Sequence, residues 1–407
     1  MTFEKIYQYT FLGLCGLWIP FPQLGSLLIA LFGVLVLIGA FQKKLEFKFN
    51  GIFLGFSVLY ALYALYIFNN NTTVNEGPYL EYKLSLVVFP LLLSFRPQQK
   101  IERSKVMTSV VSGAFLLGLL YIVRAVGKYF ISHDTQVFHS SWFAYNHHPS
   151  YAAVFFSFAV FYLLLNFSER SGTQKWLATG LIMFFTILHI PLESMAGLLF
   201  LAFVYAFFIA KSILQYLSLK KTAALIVGLV VFIFTLFRIQ PGLKTDLINT
   251  QKSSFEFLAN PQKFVKECPQ KMTGNQARLI LWTISGEIIA AHPLGVGISG
   301  LDLEMSRKLH VLGFHEMAAK HWNPHNQFLQ LTVEIGWLGL LLFISILIAI
   351  ARLAWQRKDQ LLGFLLLSLV LNSLFESMLQ RQSGIVFYLL FLSAFIAIIT
   401  YSKNEEA

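Results

Sequence analysis

The chain has 407 residues, of which 56% are hydrophobic and 13% charged, and its formal net charge is +11. Average soluble domains carry about 25% charged residues, so this composition excludes both a disordered chain and a water-soluble globule. Runs of about 18 or more apolar residues recur, and each reads as a membrane helix. The fold class is therefore an all-α integral membrane protein. Its partner is a lipid bilayer, and the basic balance reflects Lys- and Arg-rich cytoplasmic loops rather than nucleic acid.

Twelve spans are expected, at 7–22, 24–41, 51–68, 83–95, 105–127, 149–167, 175–190, 193–213, 222–238, 326–351, 360–378 and 383–401. Cys15 falls in the first span and Cys268 in a long loop, which does not suggest a disulfide framework. No small-residue cleavage site follows the first apolar run, so that run is expected to remain as an anchor. The segment 83–95 is short and reads as tilted or partly re-entrant. A polar insert at 239–325, with helical patterns of its own, separates the first nine spans (1–238) from the last three and a short tail (326–407). A cytoplasmic N-terminus puts most loop cations inside, among them Lys43, Lys44, Lys48, Arg96, Arg103, Arg352, Arg357 and Lys358. Both termini are then cytoplasmic and the insert lies outside, in a bacterium the periplasm.

Polar residues near the spans come next in chain order. Arg124 lies near the outer end of the fifth span. An ionisable group at membrane depth is costly and a functional candidate, with snorkelling as the plainer account. Asn146-His-His-Pro-Ser-Tyr151 opens the sixth span. His148 and Tyr151 suit sugar hydroxyls or phosphate, although an interfacial His and Tyr belt explains them as well. His147 and His148 are adjacent but lack a third metal ligand at a recognisable spacing, so no metal is expected. In the insert, Arg278 lies in Asn275-Gln-Ala-Arg-Leu-Ile-Leu-Trp282. An arginine fork suits phosphate through two parallel charge-assisted bonds, while an exposed Arg on an amphipathic loop helix is the plain alternative. Gly295, Gly297 and Gly300 spell G-x-G-x-x-G, but no βαβ unit surrounds them, so a tight turn is expected rather than a dinucleotide site. His315, Glu316 and His321 lack the i, i+4 histidine spacing of a zinc-protease helix.

The junction His321-Trp-Asn-Pro-His-Asn-Gln-Phe-Leu-Gln-Leu-Thr-Val-Glu-Ile-Gly-Trp-Leu-Gly339 opens the tenth span. Asn323 suits an N-cap and Pro324 a first helical position, which puts His325 in the first turn. Helical spacing from His325 then aligns Leu329, Thr332, Gly336 and Gly339 on one face, where small residues admit a neighbouring helix. Asn326, Gln330 and Glu334 form a polar stripe. The positive end of the helix attracts anions and disfavours imidazolium, leaving a neutral His325 able to act as a general base. The bland reading is that His325 and Asn326 only cap and anchor the helix. Arg381, in the turn between the last two spans, either grips an anion, snorkels, or pairs with Glu376.

The pattern His325-Asn326, nine residues, Gly336, two residues, Gly339 resembles the signature of the O-antigen ligase family, which sits with the O-antigen polymerases among lipid-linked glycan transferases. Arg278-x-x-x-Trp282 followed by Pro293-Leu-Gly295-Val-Gly297 resembles a second element of that family, and His148-Pro-Ser-Tyr151 echoes a weaker one. The resemblance implies a GT-C-like membrane fold with one large periplasmic loop before the tenth helix, in the bacterial inner membrane. It implies a glycan donor on polyprenyl (undecaprenyl) diphosphate and a lipid A–core acceptor. Arg278, with Arg381, would hold the diphosphate, and His325 would take the acceptor's proton in a single inverting displacement without metal or cofactor. One departure stands out. Met195, in Glu193-Ser-Met-Ala-Gly197, occupies a position where the family often has a cation; either Arg381, Arg124 or Arg238 substitutes for it, or the donor site is changed or the enzyme inactive. Polymerisation of lipid-linked units and transfer to protein hydroxyls stay open. So does a transporter, because Glu193 and Glu334 are the buried acids that ion coupling uses.

Overall fold

The structure, a computed structural model, describes residues 2–69, 77–99, 101–214, 242–268 and 272–401, with scattered residues between 223 and 238. The ninth expected span lies largely outside them. In chain order the helices are α1 (Phe3–Leu17), α2 (Gly25–Phe41), α3 (Gly51–Asn69), α4 (Gly77–Lys83), α5 (Ser85–Ser94), α6 (Arg103–Ser132), α7 (Ser140–Phe143), α8 (Pro149–Leu165), α9 (Gly172–Leu192) and α10 (Met195–Leu214). The insert holds α11 (Gly242–Ala259), α12 (Pro261–Glu267), α13 (Gly274–Ala291), α14 (Ile298–Val311) and α15 (His315–Ala319). The chain closes with α16 (Gln327–Gln356), α17 (Gln360–Ser373) and α18 (Gln382–Tyr401).

Among the described residues six helices are long and apolar enough to cross a membrane: α2 with its preceding turn, α6, α9, α10, α16 and α18. Apolar stretches of α3, α8 and α17 are shorter. The segment expected as one span at 83–95 holds only the last residue of α4 and the short helix α5, and the expected span 360–378 ends as a helix at Ser373. One small antiparallel pair interrupts the helical pattern, β1 (Leu45–Phe47) against β2 (Phe95–Pro97), with Glu46 opposite Arg96.

Helix α8 is apolar on every face and almost wholly buried, as expected of a helix at the middle of a bundle. Its phenylalanines pack against the last two helices. Phe161 stacks on Phe364 with ring centroids 3.7 Å apart, and Phe155 meets Phe387 at 4.7 Å. Outer helix α2 instead leaves Leu27, Leu31, Val34 and Leu37 exposed, a surface suited to lipid. Helices α1 and α6 cross closely because Gly113 lies against the Gly16 backbone, leaving no room for a side chain.

The insert has a core of its own, built from Ile280, Leu281, Ile284, Ile288, Leu301, Met305, Leu309, Phe314 and Met317, and it closes on Val333 of α16. It is fastened to that helix at a break. Ile335 (φ −131°, ψ 20°) and Gly336 (φ 68°, ψ −171°) leave the helical region, which frees backbone groups for the loop 293–297. Val296 N–H donates to the Val333 carbonyl at 2.8 Å, Gly297 N–H to Glu334 at 2.9 Å, and Trp337 N–H to Pro293 at 3.1 Å. A methyl at Gly295 (φ 94°) would come within 2.6 Å of the Gly336 nitrogen, and one at Gly336 would overlap the Leu294 backbone. Gly295, Gly297 and Gly336 thus form one joint. The neighbour that approaches Gly336 is this loop, not the helix expected from the spacing. The space over Gly339 is filled by the side chain of Ile335 from its own helix.

Candidate active site

Helix α16 begins three residues later than the sequence suggests. Its N-cap is Asn326, whose Oδ1 accepts from Phe328 N–H at 3.0 Å and Leu329 N–H at 3.1 Å. Asn326 also donates from Nδ2 to the Leu374 carbonyl at 3.2 Å. Asn326 is therefore buried and serves as the helix cap, with one N–H of its amide left beyond these bonds. His325 lies before the helix in the left-handed region, at φ 46°. The Asn323 side chain supports that turn by accepting the His325 N–H at 2.9 Å. A non-glycine residue held in this conformation marks local strain of the kind that gathers at functional sites.

The turn projects the His325 ring at the 374–381 connection between α17 and α18. His325 Nδ1 lies 3.0 Å and 3.1 Å from the two Glu376 carboxylate oxygens. The His325 side chain is 22% exposed and that of Glu376 5%. A carboxylate only accepts, so Nδ1 carries the proton, and in the neutral ring the lone pair is at Nε2. Nε2 has no protein partner among the described residues. Burial works to raise the Glu376 carboxyl, but the hydrogen bond and charge of His325, together with His148 and Arg278, hold it at about 2. Glu376 is thus a carboxylate throughout the neutral range, and it is spent on His325 rather than on Arg381.

Both halves of the pair are pinned from helix α13. Arg278 and Trp282 lie one turn apart on the same face. Arg278 Nε donates to the carbonyl of Phe375, beside Glu376, at 3.0 Å. Trp282 Nε1 donates to the carbonyl of Pro324, beside His325, at 3.0 Å. Arg278 also donates from Nη1 to Asn275 Oδ1 at 3.0 Å, while Nη2 has no protein partner among the described residues. Burial lowers the guanidinium from its ordinary range and the Glu376 carboxylate opposes this.

His148 completes the cluster from the start of α8. Its Nδ1 accepts from Ser150 N–H at 3.4 Å as a helix cap, which leaves Nε2–H as a donor. Burial pushes its pKa down to about 4, against the attraction of Glu376 and with the repulsion of Arg381, His325 and Arg278. His148 is uncharged at neutral pH, and Glu376, Arg381, His325 and Arg278 all act on it electrostatically. Arg381 is exposed at the end of the same turn, with no ion pair to Glu376 among the described residues.

Other candidates take supporting places. Tyr151 is buried and spends its hydroxyl on the Ser377 carbonyl at 3.2 Å, so it braces the turn rather than facing a substrate. His147 is occupied at both ring nitrogens, by Ser383 Oγ and the Ile19 carbonyl, each at 2.7 Å. Arg124 bonds the Trp142 carbonyl at 2.8 Å and lies over the Tyr145 ring at 4.2 Å, and it is not brought to the cluster. Glu193, expected as a possible buried acid, pairs at the surface with His139 Nδ1 at 2.7 Å. Glu334 is buried but bonded to Tyr63 and Gln330.

The sequence reading missed Glu376 as the partner of His325. The available signal was its cost. Acidic residues number only 20 in the chain, and one at a span end needs a partner. The nearest cation in sequence, Arg381, drew the pairing away from a histidine that is distant along the chain.

A model of the O-antigen ligase family matches residues 178–344. The stretch contains Met195, Arg278, Gly295, Gly297, His325, Asn326, Gly336 and Gly339, so the resemblance carried by those motifs is upheld over this part of the chain. The matched stretch, with the long apolar helices around it, is similar to the O-antigen ligase family and fits a multi-pass membrane protein. No curated protein matches the chain in a sequence comparison.

Proposed function

We propose that the protein transfers a glycan from undecaprenyl diphosphate to an acceptor hydroxyl, with lipid A–core as the acceptor, as an O-antigen ligase of the bacterial inner membrane. Both termini face the cytoplasm and the site faces the periplasm. The observation that carries this reading is the His325–Glu376 pair, held beside Arg278 and His148 by the residues that resemble the family's motifs.

The chemistry follows from the atoms presented. The acceptor hydroxyl binds with its proton toward His325 Nε2. As the oxygen attacks the anomeric carbon, the proton passes to Nε2 and the imidazolium is stabilised by Glu376. The bond from the anomeric carbon to the diphosphate oxygen breaks, and its electron pair leaves with the diphosphate. Arg278 Nη2 and the His148 Nε2–H offset the charge developing there, and Arg381 adds a second cation at the rim. A single displacement inverts the anomeric centre.

The test is to delete the gene in its host and separate the surface glycolipids on a gel. Loss of all O-antigen on lipid A–core, with long polymer retained on the polyprenyl carrier, supports ligation. Core capped by single repeat units identifies a polymerase instead. An unchanged lipopolysaccharide pattern with loss of protein-linked glycan identifies transfer to protein hydroxyls.

A further inference from the structure

Behind the His325–Glu376 pair lies a second polar cluster, enclosed by apolar helices. Lys83, the last residue of α4, is 1% exposed and Glu334 is 0% exposed. Lys83 Nζ stands 3.8 Å from Glu334 Oε2. It also donates to the Leu379 carbonyl at 3.2 Å and to Gln380 Oε1 at 2.7 Å. Glu334 accepts from the Tyr63 hydroxyl at 2.8 Å and from Gln330 Nε2 at 2.6 Å. Gln330 Oε1 accepts from Ser377 Oγ at 3.0 Å, and Gln327 Oε1 accepts from Leu379 N–H at 2.6 Å. The Glu334 backbone carbonyl takes the Gly297 N–H of the insert's joint.

A fully buried ion pair is a poor device for stability, because desolvation offsets most of its attraction. Its bonds lead elsewhere. Those of Lys83, Gln330 and Gln327 end on Ser377, Leu379 and Gln380, within the turn that carries Glu376 and Arg381. The bond to the Glu334 carbonyl ends on the loop that follows α13, the helix that carries Arg278. We propose that Lys83 and Glu334 are positioning residues that hold the 374–381 turn in register with the insert, so that Glu376 meets His325 and Arg278 meets the Phe375 carbonyl beside them. Its consequence for turnover rests on the glycosyltransferase reading above.

Lys83→Met alone leaves a buried carboxylate without its cation and is prone to misfold. The informative variant is therefore Lys83→Met/Glu334→Gln, which removes both charges together. The full-length protein in nanodiscs is assayed with undecaprenyl-diphosphate-linked glycan prepared from the host, together with its Tm and the rate at which diethyl pyrocarbonate modifies His325. The double variant is expected to keep the wild-type Tm and a donor KM within about twofold, while kcat falls on the order of 10- to 100-fold. Modification of His325 slows as it does in Glu376→Gln, because Nε2 loses its carboxylate support. Gln380→Leu, which removes one Lys83 acceptor without touching the charge pair, is expected to show a smaller change in the same direction and decides the matter if the double variant does not fold. Wild-type kcat and His325 reactivity in these variants, or losses that only track Tm, would overturn the proposal. If the wild-type protein transfers no glycan, the glycosyltransferase reading fails, and the His325 modification rates still decide the positioning role.

Discussion

At the scale of single residues, the site depends on which ring nitrogen of His325 holds the proton. In the proposed mechanism Glu376 accepts from Nδ1–H and leaves Nε2 to serve as the base. Glu376→Gln keeps the shape but allows the amide to donate to Nδ1, which moves the proton to Nε2 and blocks it. Transfer by this variant is expected to fall on the order of 10²- to 10⁴-fold in kcat, with donor KM little changed. Steady-state kinetics at matched protein levels check this, and a near-wild-type kcat would remove Glu376 from the mechanism. The same carboxylate gives the fold an acid limit. Its folded pKa of about 2 lies below its ordinary 4.5, so its contribution to stability is complete above about pH 4.5 and is lost as pH falls toward 2. Glu376→Gln should therefore flatten the acid side of a Tm-against-pH curve, and an unchanged curve would show that the pair adds nothing to folding.

At the scale of elements, the joint between the insert and the break in α16 sets the distance from Arg278 to His325. Gly336→Ala is expected to fold poorly or to lose transfer, since its backbone (φ 68°, ψ −171°) is open essentially to glycine and costs a residue with a side chain on the order of 1–3 kcal/mol, and the methyl strikes the backbone of Leu294. Gly339→Ala meets the side chains of Ile335 and Leu331 rather than backbone and should lose less. Parallel measurement of Tm and transfer for the two variants checks this contrast, and equal losses would contradict the assignment of Gly336 to the joint. Much of this was legible in the sequence. Apolar run length marked the long helices, and the spacing from His325 to Gly339 marked the site segment. The break was not legible, because Ile335 and Gly336 sit inside a continuous apolar pattern and only the docking loop makes a left-handed Gly336 worthwhile. The helix start was misplaced because Asn323-Pro324 and Asn326 offer rival caps. Contact between Asn326 and Leu374, which no local pattern shows, favours the second.

At the scale of the whole molecule, a wide apolar bundle carries a small, separately cored unit at one end, with the polar cluster at the seam. The chain's own cysteines test the orientation. Cys15 is buried in the bundle, whereas Cys268 is partly exposed in the insert. Burial and Glu256 hold the Cys268 thiol above its ordinary range, so labelling belongs at mildly alkaline pH. A membrane-impermeant maleimide applied to intact spheroplasts should label Cys268 and spare Cys15. Labelling of Cys268 only after permeabilisation would place the insert in the cytoplasm and reverse the orientation. The central claim, that His325 is the base of a glycan transfer, is tested most directly in one reaction. The purified protein is mixed with undecaprenyl-diphosphate-linked glycan and lipid A–core, and a single turnover is followed for the wild type and for His325→Ala in equal, folded amounts. The account predicts glycan on the acceptor with the wild type and glycan left on the carrier with His325→Ala. Transfer by His325→Ala at the wild-type rate would contradict it.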